Sequence, residues 1–547
     1  MRNINEKYIE ETYNSNGVLT SAKLKIPDDF NFAYDIVDDI AENDPDRLAL
    51  VWTEPGGTVK KFTFSDIKRY SDKTANYFKS LGIKKGDMVL VILKRHYQFW
   101  FVATALHKLG AVLVPATFML QKHDIDYRVN AAGIKAVVCT TTGDVADAVD
   151  AAAPDCPTLK IKIAVGDARE GWFDYNSDLE AAPEGFERVP TKIDEPMIMY
   201  FSSGTSGYPK MVLHDYTYAV AHLVTAKHWH NVVEDGLHFS IADTGWGKAV
   251  WGKYYGQWMM ESAVFVYDFD KFSAADILSK ISQFGVTTLC CPPTMFRMFL
   301  LEGPEKYDLS KLTYATIAGE ALNPDVFYGW KKATGLSLME GFGQTETTLT
   351  IFNSRGMTPK PGSMGKPSPI YDVTIVDEDG KPVPTGVTGE IVVRCEPHPA
   401  GLLKCYYRDE EKTIAAMHDG LYHTGDTAWR DEDGYFWYVG RTDDIIKSSG
   451  YRIGPFEIES VLVEHEAVLE CAVTGVPDPV RGQLVKATVV LADGYTPSEE
   501  LKKELQNYVK KETAPYKYPR VIDFVDELPK TVNGKIRRVS IREKDKK

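Results

Sequence analysis

The stretch Ser202-Ser203-Gly204-Thr205-Ser206-Gly207-Tyr208-Pro209-Lys210 gathers Ser/Thr hydroxyls, glycines and a terminal cation. Glycines let a backbone approach an oxyanion, hydroxyls and backbone N–H groups donate to it, and a lysine neutralises it. That is the chemistry of a phosphate cradle. An apolar run, Met197 to Phe201, leads in, and a helix-like pattern follows from about Asp215 to Trp229, so the context reads as strand, loop and helix. The stretch is not a P-loop of the GxxxxGK[ST] kind, because no Gly-Lys-Ser/Thr triplet closes it. Clusters of Ser, Gly and Thr also make ordinary turns, so the loop alone leaves both readings open.

Other residues have types and places that suit the same chemistry. Glu346 follows Thr345 in a Gly-rich turn. A lone carboxylate there suits Mg²⁺ held mainly by phosphates and water, or is a solvated turn residue. Asp426, in Thr424-Gly425-Asp426, could accept two hydroxyls of a ribose diol, or could be a β-turn Asp. Gly319-Glu320-Ala321-Leu322 follows the apolar run Tyr314–Ala318, and the end of a strand is where α/β sheets bind ligands; the bland reading is a helix entry. Arg441 lies just past Tyr438-Val439-Gly440 and could merely pair with Asp443 or Asp444. Trp246, Gly247 and Trp251 lie in an aromatic, Gly-rich segment, as pocket walls or as core. Lys535, in the turn Asn533-Gly534-Lys535, is by itself an ordinary exposed lysine.

The elements that must carry these residues follow an α/β rhythm. After a polar stretch to about residue 45, with one helix over Ala33–Asn43, a helix is expected over Thr63–Leu81 with Gly82 as its cap. Met88–Leu93, Ala111–Pro115 and Ala136–Cys139 read as strands, and Tyr97–Leu109 and His123–Ala132 as helices between them. A polar stretch from about Gly166 to Glu195 separates a second series of strands: Met197–Phe201, Leu237–Ile241, Ala263–Tyr267, Thr287–Cys291 and Tyr314–Ala318. Ser363 to Arg441 is rich in Gly and Pro between short alternating segments and reads as a small β-rich unit. Beyond Arg441 the pattern is α+β: helix Pro455–Glu464, strands Leu469–Val473 and Val485–Leu491, helix Ser498–Thr513 and strand Arg520–Phe524. The expected organisation is an N-terminal domain over 1–440, with α/β parts at about 1–190 and 191–345 and a β-rich part at 346–440, then a small domain over 441–547.

Composition bounds the rest. At 547 residues, 44% apolar and 26% charged, the chain has the make-up of a soluble globular protein of two to four domains. A net charge of −14 argues against general nucleic-acid binding. Seven cysteines, scattered without CxxC spacing, read as free thiols in a reducing compartment. Met1 to Ile9 has no apolar core of a secretory signal, and no apolar run is long enough to span a membrane. From these features a cytoplasmic location is expected.

The loop 202–210 resembles the phosphate loop of the adenylate-forming superfamily of acyl-CoA synthetases, luciferases and peptide-synthetase adenylation domains. Four further segments, in the family's order, agree: Gly341-Phe342-Gly343-Gln344-Thr345-Glu346, Tyr422-His423-Thr424-Gly425-Asp426, Gly440-Arg441-Thr442-Asp443-Asp444-Ile445-Ile446-Lys447 and Pro529-Lys530-Thr531-Val532-Asn533-Gly534-Lys535-Ile536. Together they span most of the chain. The resemblance implies that a carboxylic acid and ATP form an acyl-adenylate and pyrophosphate, and that the acyl group then passes to the thiol of CoA. It assigns the β- and γ-phosphates to Ser202–Lys210 and the adenine to Gly319, Glu320 and Ala321 with Glu340, Gly341 and Phe342. It gives the α-phosphate to Thr345, Mg²⁺ to Glu346, the ribose to Asp426, and ribose and phosphate to Arg441. Lys535 would bridge carboxylate and α-phosphate. A hinge at Asp443 would let a mobile C-terminal domain swing, after which Ser449, Gly450, Tyr451, Arg452 and Arg481 would meet CoA.

The segment Asp243–Trp251 and Gly343 with Gln344 resemble medium-chain acyl-CoA synthetases, whereas acetyl-CoA synthetases carry Trp where this chain has Gly343. A small-to-medium aliphatic acid, branched ones included, ranks first, then an aromatic acid of the benzoate kind, then a long-chain fatty acid. Rival readings are a ligase loading a carrier-protein pantetheine, a luciferase-type enzyme and a nucleotide sensor without turnover. The oligomeric state is not legible.

Overall fold

The computed structural model describes residues 3–202, 208–320, 322–449, 451–530 and 536–545. They form two compact units, one running to Asp372 and including Arg394–Leu421, the other comprising Val373–Val393 and the chain from Tyr422 onward.

Two large sheets organise the first unit. Among the described residues one has eight strands in the order Cys405–Tyr406, Lys210–Asp215, Pro196–Ser202, Val112–Pro115, Met88–Ile92, Ala136–Thr140, Ile161–Val165 and Phe173–Asp174. Met88–Ile92 and its neighbours Val112–Pro115 and Ala136–Thr140 are buried along their whole length. That is why they read as unbroken apolar runs rather than alternating ones. The other sheet has nine strands in the order Lys366–Pro367, Leu349–Phe352, Leu338–Gly343, Tyr314–Ile317, Thr288–Cys291, Leu237–Ser240, Ala263–Tyr267, Leu48–Thr53 and Val59–Thr63. Helices such as Phe64–Ser80 and Gln98–Leu109 cover the strands; the first starts on a Thr63/Asp66 capping box and the second ends on Gly110 at φ +68°. Lys108, fully buried on the second helix, pairs with Asp38 at 2.7 Å and Asp72 at 2.5 Å, so it is not an unpaired buried charge.

The second unit contains an antiparallel sheet built on Val373–Val376, Gly389–Arg394, Leu421–Arg430 and Phe436–Arg441. It also contains a sheet of Tyr451–Ile453, Ile446–Ser448, Gly482–Leu491, Val468–Asp478 and Val521–Phe524. Helices Pro455–Glu464 and Glu499–Glu512 place Ile458, Leu462, Leu501 and Leu505 against Val473, Val485 and Val489 in one apolar core.

Three expectations are corrected. The loop at 202–210 does not lead into a helix. The strand Lys210–Asp215 follows it and pairs antiparallel with Pro196–Ser202, with Ser202 opposite Lys210; the helix Thr217–Val224 and a π-helical turn Thr225–Trp229 come later. The buried apolar stretch Met211-Val212-Leu213 makes that strand, and helix-like spacing further on masked it. The strand Pro196–Ser202 also belongs to the first sheet, where Ile198 lies opposite Leu113, and the second sheet instead takes Leu48–Thr53 from early in the chain. The polar N-terminal stretch holds more than the one expected helix: Ile9–Tyr13 and Leu19–Leu24 pair as a hairpin, which Glu11 ties down through Lys227 at 2.7 Å and His228 at 2.5 Å.

Candidate active site

Within the first unit, the strand Lys210–Asp215 brings several of the singled-out residues together. Ser202 and Lys210 face each other at the mouth of the hairpin. Ser203, Gly204, Thr205, Ser206 and Gly207 lie outside the described residues. Lys210 Nζ donates to the Tyr406 hydroxyl at 3.5 Å and sits 5.0 Å from its ring centroid. That hydroxyl donates to Glu346 Oε1 at 2.9 Å. Lys210 and Glu346, 136 residues apart by their numbers, are thus joined through one phenol on a neighbouring strand.

Thr345 is held next to them. Its carbonyl accepts a hydrogen bond from His214 Nε2 at 2.7 Å. A carbonyl can only accept, so Nε2 carries the proton. Burial pushes the His214 imidazole down to about 4, which keeps it neutral. Its ring stacks on Tyr218 at 4.0 Å, and Tyr218 in turn accepts from Trp251 Nε1 at 2.9 Å.

Gly343 and Trp251 meet closely. A Cβ built on Gly343 would fall 2.4 Å from the Thr348 carbonyl oxygen and 2.7 Å from Trp251 Cη2. Trp251, 6% exposed on the helix Gly247–Lys253, therefore occupies the room a side chain at 343 would need. Trp246 precedes that helix, half-buried, and Gly247 lies near the Tyr200 ring. Gly245 is required for a different reason: a Cβ there would lie 2.2 Å from the Thr117 backbone nitrogen.

The segments at 319–320 and 340–342 run from adjacent parallel strands, with Ile317 opposite Glu340, so they emerge side by side at the carboxyl end of the sheet. Ala321 lies outside the described residues. Gly319 has φ +101°, and Lys248 Nζ donates to the neighbouring Ala318 carbonyl. Glu320 accepts from the Thr294 hydroxyl at 2.8 Å. The Glu340 carboxyl is buried, and burial raises its pKa to about 8, so it is neutral at pH 7. Gly341 leaves room for Trp229, and Gln344 receives its turn geometry from Thr347 Oγ1, which accepts from its N–H at 3.0 Å.

In the second unit Asp426 and Arg441 are register partners on neighbouring strands. Asp426 accepts from the Tyr438 hydroxyl at 3.0 Å and from Arg441 Nη1 at 3.3 Å, and the same nitrogen donates to the Thr424 carbonyl at 2.9 Å. Gly425, at φ +68°, leaves space for the guanidinium: a Cβ would lie 2.6 Å from Arg441 Nη2. Arg441 also lies 3.6 Å from Asp443, so of the two pairings read from the sequence the one with Asp443 is present, while Asp444 pairs with Arg542 instead. Ser449, at φ +50°, donates its N–H to the Arg481 carbonyl at 2.9 Å and accepts from Arg481 Nη1 at 3.3 Å. Half-exposed Tyr451 stacks on Tyr516 at 4.0 Å, and Arg452 lies opposite Lys447 in register. Gly450 and Lys535 lie outside the described residues.

Sequence reasoning missed His214, Tyr218, Tyr406, Lys248 and Tyr438. His214 was within reach, because residues 210 and 214 share a face once a strand is recognised there. Tyr406 had no local signal: its place follows from pairing with Val212, far away in sequence.

Comparison with known proteins bears on the whole chain. Residues 37–407 match the family described as AMP-binding enzyme, and residues 457–535 the AMP-binding enzyme C-terminal domain. The mouse protein "Acyl-coenzyme A synthetase ACSM5, mitochondrial" is 42% identical over 96% of this chain and 93% of its own length. Mouse "Acyl-coenzyme A synthetase ACSM3, mitochondrial" is 41% identical over 96% and 92%. The crystal structure of an anthranilate CoA ligase in complex with anthranoyl-AMP superimposes with a TM-score of 0.87 at 28% identity, over 95% of this chain and 98% of that one. The cytoplasmic expectation is overturned: these curated relatives are mitochondrial. Scattered free thiols and the want of a secretory core say nothing against such a compartment. Among the described residues no helix is long and apolar enough to cross a membrane. Two family matches in tandem, full-length relatives and the fold together lead to one conclusion: the chain belongs to the AMP-binding enzyme family and is an AMP-forming acyl-CoA ligase that uses ATP and CoA.

Proposed function

We propose that the acid is a small-to-medium aliphatic one, branched acids included. The observation that carries this is the Trp251 indole packed where a side chain on residue 343 would stand. Glycine at 343 admits the Trp251 indole, and that buried indole, held by Tyr218, sets a far wall that a long chain would have to displace. Trp246 and Gly247 complete the mouth of that pocket. A flat indole wall also suits an aromatic acid, and the likeness to an anthranilate CoA ligase favours that as the second reading.

The site residues take the following roles in this reading. Ser202–Lys210 hold the β- and γ-phosphates; Gly319–Ala321 and Glu340–Phe342 hold the adenine; Asp426 and Arg441 hold the ribose. The neutral Glu340 carboxyl adds no negative charge beside the nucleotide. Two anions must meet, so the work is positioning and charge neutralisation rather than covalent chemistry by side chains. Thr345 orients the α-phosphate, and Lys535 bridges it to the attacking carboxylate. Glu346 fits Mg²⁺: its carboxylate is buried, one oxygen is fixed by Tyr406, and a metal that keeps phosphate and water ligands needs few protein oxygens. Bound there, Mg²⁺ would neutralise the charge developing on the phosphates. After pyrophosphate leaves, rotation at Asp443 removes Lys535, and Ser449, Gly450, Tyr451, Arg452 and Arg481 bring in the CoA thiol.

The test is mass spectrometry of a mixture of the protein, ATP, Mg²⁺, CoA and a pool of linear, branched and aromatic acids. Acyl-CoA of a small-to-medium aliphatic acid should dominate, as a closed far wall requires. Benzoyl-type products in first place would move the second reading ahead, and long-chain products would overturn the indole wall.

A further inference from the structure

The strand Lys210–Asp215 does more than close the phosphate hairpin. Side chains at 210 and 214 point to the same face of a strand. From that face both reach one turn far along the chain: Lys210 through Tyr406 to Glu346, and His214 directly to the Thr345 carbonyl, 131 residues on. The strand is locked on both sides, to Pro196–Ser202 by regular pairing from Ser202 opposite Lys210 to Ile198 opposite His214, and to Cys405–Tyr406 by Val212 and Leu213. It is therefore a rigid spacer between the phosphate loop and the turn at 345–346.

We propose that His214 is a positioning residue for adenylate formation: its Nε2–H, donated to the Thr345 carbonyl, sets the Thr345–Glu346 turn at a fixed distance from the end of the phosphate loop. The inference rests on the reading of Thr345 and Glu346 given above. His214 is fully buried against Tyr218, and its one proton is spent on a backbone carbonyl, so it is placed to orient rather than to transfer protons. Tyr406 fixes the side chain of residue 346 and His214 fixes the backbone of residue 345, so the two contacts hold the turn at two points. Transfer at phosphorus depends steeply on alignment; a misplacement of about 1 Å costs about 100-fold.

The experiment compares His214→Phe, which keeps the ring and loses the donor, with His214→Gln, whose amide N–H reaches about as far as Nε2. Acid-dependent ATP–pyrophosphate exchange is measured beside thioester formation from a supplied acyl-adenylate. The expected result is an exchange kcat lower by about 10- to 100-fold in His214→Phe, with the KM for the acid and the thioester step near wild type. His214→Gln should recover most of the exchange. Wild-type exchange in His214→Phe, or equal losses in both variants, would overturn the proposal. Should His214→Phe not fold, His214→Met replaces it; if neither donor-free variant folds while His214→Gln does, the residue serves folding and the proposal falls. Thr345→Val and Glu346→Gln run in parallel. Full exchange in these two would sink the reading of the turn itself, whereas losses there with none in His214→Phe would sink the positioning role alone.

Discussion

The indole of Trp251 lies 2.7 Å from where a Cβ on Gly343 would sit, so these two residues compete for one volume. Trp251→Phe vacates part of that volume and removes the hydrogen bond to Tyr218. The ratio of kcat/KM for an acid one or two carbons longer than the preferred one should rise about tenfold or more, the worth of a methylene in an apolar pocket. Gly343→Ala should instead depress turnover of every acid, because the Thr348 carbonyl is backbone and cannot step aside. A chain-length series read by pyrophosphate release checks both, and an unchanged profile in Trp251→Phe would remove the indole from the pocket wall.

Tyr406→Phe separates Lys210 from Glu346 without disturbing the strand pairing of residue 406. A hydrogen bond to a charged group is worth about 1.5–3 kcal/mol, or roughly 10- to 100-fold. The Mg²⁺ concentration for half-maximal activity should rise by a factor in that range, while the melting temperature moves little. Titration of activity with Mg²⁺ at saturating ATP measures it.

Lys535→Ala should lower adenylate formation by about 10²–10³-fold, the usual cost of one preorganised donor at a developing charge. Thioester formation from a supplied acyl-adenylate should survive. Equal losses in the two half-reactions would count against a lysine that serves only the first.

Asp443→Pro tests the hinge. Fixing φ at 443 should trap one orientation, so one half-reaction persists and the other drops by at least about tenfold. Retention of both half-reactions would place the pivot elsewhere.

Glu340 gives a pH dependence with a defined sign. Burial raises its carboxyl from 4.5 to about 8. Between those values the folded chain holds a proton that the unfolded chain has released, so its contribution to stability is lost as pH rises through that window. Glu340→Gln cannot ionise. Its melting temperature relative to wild type should climb from pH 5 to about pH 8 and level off above, which differential scanning fluorimetry across pH 5–9 would show.

Motif residues cluster in short stretches, so Asp426 with Gly425, and Thr345 with Glu346, could be singled out from the sequence, while their roles rest on the resemblance. The C-terminal elements were also close to their observed bounds, helix Pro455–Glu464 to the residue, because Pro455 at its start and an apolar face give local signals. Long-range pairing was not legible. Nothing near Pro196–Ser202 says that it joins Val112–Pro115, and nothing near Tyr406 says that it stands between Lys210 and Glu346. Lys210–Asp215 was missed because a short buried strand and the start of a buried helix have the same apolar composition, and only the partner strand decides between them.

The place of Leu48–Thr53 beside Ala263–Tyr267 has a consequence for how the protein is made. A ribosome adds roughly 5–20 residues per second, so the early strand waits on the order of 10–40 s before its parallel partner is synthesised. Through that interval the edge that will pair with Ala263–Tyr267 is open, and only the other edge is paired, by Val59–Thr63. Slow translation of the intervening segment would lengthen the exposure, and a holding chaperone acting on the nascent chain would shorten it. Yield in a heterologous host should therefore respond to elongation rate and chaperone supply more than to the intrinsic stability of the completed enzyme.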